Sequence, residues 1–288
     1  MLEHLNKKDF DKYSDFAYFL ALDQKTSSYP TYTDGIKTKK DFILHAKRGI
    51  NDKTHQILLF KYEKEIAGWI HYYVLEKDKL IGFEAFNIQH HFEIAFDEFI
   101  KYIIPKYKGY TIHFGFPEIN YSAISYLKKC EFNCIEKSYV NILKLKDYTT
   151  KEEDKNIVPV SKDNFNEFKK LHDTCENMYW NSERLYDAII NPNEKHRWYI
   201  YLYYQNQKLT GNIYFICIND FMEIFGIDYI DKKFNPVIFK NLTIKALNKA
   251  KEIKISHLYF FADKNEHLIL QDLGFTHIGN YELYEKVL

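Results

Sequence analysis

Apolar residues change their spacing several times along the first half of the chain, and each change marks an element. Residues 7–22 carry charged, helical sequence, and a polar stretch follows at 27–35. Residues 55–63, 69–75 and 80–88 are dense in aliphatic and aromatic side chains, with short charged turns between them. Three such runs with tight turns predict an antiparallel meander. Phe92, Ala95, Phe96, Phe99, Ile100 and Ile103 then recur at three- and four-residue spacing, which predicts a helix packed on that sheet and stopped by Pro105. Residues 110–116 read as strand, 120–129 as helix and 134–145 as strand.

The second half repeats the order. Residues 165–172 and 184–190 read as helices, and 198–204, 208–218 and 221–230 as strands. Leu242, Ala246, Leu247 and Ala250 mark one face of a long helix; strand (257–262), helix (266–273) and strand (276–287) close the chain. Gly68 and Gly211, Phe132 and Phe275, and Ile135 and Ile278 are each 143 residues apart. Solenoid units run to roughly 20–50 residues, so this period implies two copies of one domain. The expected domains are 1–147 and 148–288, joined through the charge-dense stretch 146–156. The expected fold class is α/β: in each copy a mixed, mostly antiparallel sheet with helices on both faces.

Composition narrows the function. The chain has 288 residues, with 25 Tyr and 23 Phe to build two cores. Its 40 basic and 40 acidic residues cancel, and the only arginines are Arg48, Arg184 and Arg197. Nucleic-acid binders show a basic excess with arginine forks, so no nucleic-acid partner is expected. Cys130, Cys134, Cys175 and Cys217 lack metal-site spacing, so no metal is expected. No apolar run reaches the roughly 20 residues of a membrane span and residues 1–7 do not read as a signal peptide, giving a cytoplasmic expectation with no membrane partner.

Two local sequences carry a resemblance. One is a strand opened by Gly68 or Gly211. The other is a closing unit, Asn120-x-x-Ala123 leading to Phe132, and Leu270-x-x-Leu273-Gly274-Phe275 followed by Ile278-Gly279-x-Tyr281. On these residues nearly the whole chain resembles the GNAT superfamily of acyl-CoA-dependent N-acetyltransferases, in tandem. The resemblance implies acetyl-CoA as co-substrate, held where the fourth strand of a copy parts from the fifth, and a small-molecule or peptide amine as acceptor. The family's glycine loop around the pyrophosphate has no counterpart here, because no glycine lies between Gly82 and Gly109 or between Gly226 and Gly274.

The second copy keeps more of the expected machinery. Asn235-Pro236 is a helix start, so the N–H groups of Val237 and Ile238, with Lys232 and Lys233 before them, form a candidate phosphate site. A capped helix with two solvated lysines is the equal alternative. The resemblance adds Tyr229 and Ile230 at the strand end and Asn265 in the last helix to the cofactor contacts. Amine acylation needs a base, and Asp228 and Glu223 are the candidates, with Glu84 in the first copy. Regular alternation puts Asp228 and Glu223 on opposite faces; Asp228 is favoured, and a bulge at Gly226 would reverse the choice. Tyr179 and Trp180 are the candidate acceptor walls, with packing of the same aromatics against the neighbouring copy as the equal alternative. Leu127 and Leu270 stand where the family has its tyrosine acid, and Tyr126 is one position off. His71 is read as a structural histidine or a pocket residue. The expected function is an N-acetyltransferase with a catalytic second copy and an architectural first one. A non-catalytic ligand-binding or interaction module is the runner-up, and an aminoacyl-tRNA-dependent transferase is disfavoured by the neutral charge.

Overall fold

The structure is a computed structural model and describes residues 1–29, 32, 37–174, 180–192 and 196–288. Its early elements are β1 (Leu2–His4), α1 (Phe10–Ala21), α2 (Lys39–Asn51), β2 (His55–Tyr62), β3 (Glu65–Leu75) and β4 (Leu80–Ile88). Next come α3 (Phe92–Ile103), β5 (Thr111–Pro117), α4 (Tyr121–Lys129), β6 (Asn133–Lys144) and β7 (Ile157–Pro159). Then follow α5 (Phe165–His172), α6 (Ser182–Ile190), β8 (His196–Gln205), β9 (Lys208–Ile218) and β10 (Phe221–Tyr229). The last are α7 (Pro236–Glu252), β11 (His257–Ala262), α8 (Lys264–Asp272) and β12 (Thr276–Val287).

These elements form two compact units, Met1–Ser138 with Gly279–Leu288, and Tyr139–Ile278. The division differs from a cut between 147 and 148 because of strand pairing. Residues 281–287 of β12 pair antiparallel with β5, so they complete the first unit. Residues 139–144 of β6 pair with β11 and complete the second. Nor is 146–156 a free linker. The Asn248 side chain on α7 accepts from Tyr148 Oη at 2.9 Å and donates to the Lys151 carbonyl at 2.7 Å, fastening the stretch to the second unit.

In the first unit the strands run β1-β2-β3-β4-β5-β12. One face buries Phe86, Phe96, Phe99, Phe114 and Phe116 under α3 and α4, and the other buries Phe10, Ala17, Phe42 and Trp69 under α1 and α2. Phe86 meets Phe99 and Phe114 edge-on at 5.5 and 5.3 Å between centroids, contacts each worth about 0.5–1.5 kcal/mol beyond burial. The sequence reading assigns no helix to 39–51. It is started by a capping box, with Thr38 Oγ1 accepting from Asp41 N–H and the Asp41 carboxylate from Thr38 N–H.

The second unit repeats the plan in the order β6-β11-β10-β9-β8-β7. Phe239, Leu242, Leu247, Ile213, Phe215 and Met222 fill the α7 face, and Phe168, Leu185, Trp198, Ile200 and Leu202 the α5–α6 face. Matched landmarks occupy matched places. Gly68 lies opposite Ile88 and Gly211 opposite Tyr229. A Cβ on Gly211 would sit 2.8 Å from the Asp228 carbonyl oxygen. Phe132 and Phe275 each donate their N–H to a leucine carbonyl five residues back at 3.0 Å, after Glu131 (φ 58°) and Gly274 (φ 96°) end the helix in the left-handed region.

Candidate active site

In each unit a parallel strand pair parts part-way along. β10 and β11 pair from Phe221 and His257 to Ile224 and Phe260 and no further. β4 and β5 pair only at Leu80 and Thr111 and at Ile81 and Ile112. Beyond these points each pair leaves a wedge between its strands. In an antiparallel ladder only every second residue turns its N–H to the partner. Ile230 donates to the Thr210 carbonyl at 3.1 Å, so Asp228 also faces β9. The N–H groups of Ile227 and Tyr229 therefore face the wedge, and among the described residues neither has a partner.

The matching amides of the first unit belong to Phe86 and Ile88, and its own chain answers them. Ile88 N–H donates to the Thr26 carbonyl at 2.9 Å and Phe86 N–H to Ser28 Oγ at 2.7 Å. On the opposite strand the Gly115 carbonyl accepts from Tyr29 N–H at 2.9 Å. Ser28 N–H donates to Asn87 Oδ1 at 2.9 Å, and Asn120 Nδ2 donates to the Ser27 carbonyl at 3.0 Å. Ser27 and Ser28 are buried. Residues 26–29 thus lie in the first wedge and satisfy both of its edges. Glu84 stands at the bulge of β4, half-buried. Burial raises its pKa against the charges of Arg48 and Lys37.

A bulge in β10 changes which side chains share a face. Register shifts between Ile224, opposite Phe215, and Gly226, opposite Tyr214, leaving Phe225 as the extra residue. A Cβ on Gly226 would lie 2.5 Å from the Tyr214 hydroxyl, so a larger residue here would have to displace that ring. Met222 and Ile224, then Ile227 and Tyr229, pack into the α7 core. Glu223 and Asp228 therefore both turn to the α5–α6 side, opposite Ile216 and Asn212, where unbroken alternation would separate them.

Asp228 is engaged there. Its Oδ2 accepts from His172 Nδ1 at 2.6 Å and from Asn212 Nδ2 at 2.9 Å. His172 is fully buried and turns Nε2 to the Trp180 carbonyl at 2.7 Å. Both ring nitrogens face acceptors, an arrangement that favours the doubly protonated ring. Burial is the largest influence and favours the neutral ring. The Asp228 hydrogen bond and charge, with the Trp180 carbonyl, outweigh it and raise the pKa above the ordinary histidine value. The doubly hydrogen-bonded His172 ring offers no lone pair for taking a proton from an amine while this arrangement stands, and one oxygen of Asp228 is committed to His172 and Asn212. His172 escaped the sequence reading because nothing local shows that α5 carries it to β10.

The other expected positions fall as follows. Val237 and Ile238 donate their N–H groups to Asn235 Oδ1 at 3.0 and 3.2 Å, so the candidate phosphate donors are already engaged. Lys232 Nζ donates to the Thr174 carbonyl at 3.0 Å; Lys233 is exposed, and its N–H donates to Asp231 Oδ1. Ile230 is 55 % exposed at the wedge mouth. Asn265 donates its N–H to Asp263 Oδ1 at 2.7 Å. Among the described residues the buried Tyr229 hydroxyl has no partner, and burial, then the charges of Glu266, Asp263 and Asp228, raise its pKa. Trp180 packs on Trp198 at 4.7 Å and Trp198 on Phe225 at 5.0 Å between centroids, an aromatic wall beside the bulge. Tyr179 lies outside the described residues. His71 is buried 3.1 Å from His55 Nδ1, and burial, then the neighbouring histidines, lower its pKa to about 3.

Glu266 was not among the sequence candidates. It stands at the third position of α8, where its carboxylate accepts from Asp263 N–H at 2.9 Å. Burial raises its pKa to about 7, against the Asp263 hydrogen bond. The Asp263-x-x-Glu266 capping signature makes the helix start legible, but not the burial. Among the described residues no three His, Cys, Asp or Glu side chains are placed to share a metal ion. No helix among them is long and apolar enough to cross a membrane.

No family model and no curated protein matches the sequence. Solved structures do match the fold. A GCN5-related N-acetyltransferase from Sphaerobacter thermophilus superposes with a TM-score of 0.66 at 8 % identity, over 99 % of this chain and 95 % of that one. A tandem GNAT protein from the clavulanic acid biosynthesis pathway gives 0.57 at 9 %, over 99 % and 98 %. The fold is the GNAT fold, present in tandem. Saccharomyces cerevisiae N-myristoyltransferase, solved with bound myristoyl-CoA, is similar at 0.53 and 12 %, over 99 % of this chain and 72 % of that one. Among the described residues the two copies of this GNAT tandem differ at the wedge: the first fills its own, and the second leaves two amides facing it and a tyrosine hydroxyl buried beside it.

Proposed function

We propose that this chain is an acyl-thioester-dependent N-acyltransferase whose second unit holds the donor and whose first unit is architectural. The observation that carries the reading is the contrast at the wedges. Ile227 and Tyr229 direct N–H groups between β10 and β11 that have no partner among the described residues, while Phe86 and Ile88 are bonded to residues 26–29. Two N–H groups on a strand edge and the orphaned Tyr229 hydroxyl suit an extended, amide-bearing arm such as that of acetyl-CoA. The aromatic wall of Trp180, Trp198 and Phe225 suits a small-molecule or peptide amine on the other side of the bulge.

The reaction joins the amine nitrogen to the thioester carbonyl carbon and breaks its bond to sulfur. One proton leaves the attacking ammonium before the C–N bond forms, a second leaves nitrogen as the amide is completed, and the departing thiolate takes one up. With Asp228 held by His172 and Asn212, Glu223 is the carboxylate on the acceptor face proposed as base. Glu266, half-protonated near neutrality, is proposed to return the proton to sulfur.

Amide hydrogen exchange tests this reading. Saturating acetyl-CoA should slow exchange at Ile227 and Tyr229 and leave Phe86 and Ile88 as they were. Protection confined to the first unit, or none at all, would sink it. A second reading, a binding module without turnover, is favoured by the engagement of Asp228. Release of free thiol with a panel of amines separates the two.

A further inference from the structure

The second wedge opens toward the starts of two helices, and both are closed by their own side chains. β10 runs through 230–235 into α7, whose Pro236 has no N–H. Asn235 Oδ1 accepts from Val237 and Ile238, and its carbonyl from Phe239. β11 runs into α8, where Asp263 Oδ1 accepts from Asn265 and Glu266 at 2.7 and 2.9 Å. A helix start attracts phosphate through unsatisfied N–H groups and a positive dipole end. Here the first set is engaged, and the second is engaged by a carboxylate with another, Glu266, beside it.

The side chains between do not restore such a grip. Lys232 is bonded to the Thr174 carbonyl, and Asp231 accepts from the N–H of Lys233, setting an acid within the lysine turn. Ile230 and Val237 are more than half exposed at the same mouth. Phosphates brought here would lose water and gain little in return. The interior of the wedge is different: the amides of Ile227 and Tyr229, without a partner among the described residues, suit carbonyl groups, and the Tyr229 hydroxyl is buried beside them.

Resting on the acyl-thioester reading, we infer that the donor is recognised by its acylated pantetheine arm, with the nucleotide adding almost nothing to affinity. The substrate class is then any acyl-pantetheine thioester, free or tethered to a carrier protein through its phosphate. Calorimetric titration with S-acetylpantetheine, acetyl-CoA and an acetylated phosphopantetheinyl carrier protein tests this. S-acetylpantetheine and acetyl-CoA should bind within about threefold of each other. Carrier-bound donor binding more than tenfold tighter than both points to a tethered source, and equal binding to a free one. Acetyl-CoA binding more than thirtyfold tighter than S-acetylpantetheine overturns the inference and leaves the acyltransferase reading standing. Binding of no thioester overturns both.

The Asn235→Ala variant adds a check with a sign. It frees the N–H groups of Val237 and Ile238, so acetyl-CoA should gain several-fold in affinity while S-acetylpantetheine stays unchanged. A selective loss of acetyl-CoA affinity would instead make Asn235 part of a nucleotide site and end the proposal.

Discussion

His172 Nδ1 and Asp228 Oδ2 lie 2.6 Å apart, and the same ring gives its other proton to the Trp180 carbonyl. The pair fastens α5 to β10 at the bulge. Removing one member of a buried ion pair leaves the other charge uncompensated, at a cost of about 3 kcal/mol. Asp228→Asn should therefore lower stability to urea by about that much at pH 6. A variant as stable as the parent would show that the pair is not charged.

The same pair sets a pH dependence. The pKa of His172 is raised on folding, so its stabilisation is complete below the ordinary histidine value and is lost as pH rises through the folded one. The difference in unfolding free energy between the parent and His172→Gln should shrink on going from pH 6 to pH 9. A difference that grows over this range has the wrong sign for an imidazolium.

Glu266 should behave in the same sense in a lower window. Its pKa rises from the ordinary glutamate value to about 7 on folding, so its contribution is complete below about pH 4.5 and is lost by pH 7. Glutamine keeps the cap acceptor and removes the titration. Glu266→Gln should gain stability relative to the parent between pH 5 and pH 8, by about 1–2 kcal/mol once water at the half-buried carboxyl is allowed for. Parallel stability curves would place the carboxyl in solvent.

The segment in the first wedge depends on Asn87. Asn87→Ala leaves the buried Ser28 N–H without its acceptor, a loss of about 1–3 kcal/mol. Amides at 86 and 88 should then exchange faster, while those at 227 and 229 do not change. Equal acceleration in both units would mean global unfolding instead.

Truncation after residue 278 should injure the first unit alone. Residues 281–287 supply the strand beside β5, so the amides of residues 111–116 should lose protection while those of β11 keep theirs. Loss of protection in β11 first would contradict the assignment of these residues.

The repeat and the order of most elements were legible in the sequence, because buried strands and amphipathic helices write their period into the side chains. α2 was not, since its buried face is only Phe42, Ala46 and Gly49 and its start lies in a capping box. The pairing of residues 281–287 with β5 was hidden because both copies close with strands of similar sequence, and composition does not say which sheet a strand joins. At the site, Asp228 and Glu223 were visible as carboxylates on the right strand, but one extra residue, Phe225, decides that they share a face. Asn235 was visible as a cap, and its occupation of Val237 and Ile238 follows from that role. His172 and residues 26–29 reach their partners across 56 and about 60 positions, contacts no local pattern records.

The borrowed strand also orders events on the ribosome. Residues 139–278 are continuous in sequence, so the second unit has every strand it needs once they have emerged. The first unit has had most of its sequence available far longer, yet its sheet edge at β5 waits for residues 281–287. Nascent chains usually fold from the amino end forward. Here the unit that is synthesised first is finished last, with Phe114 and Phe116 on an open strand edge throughout that interval.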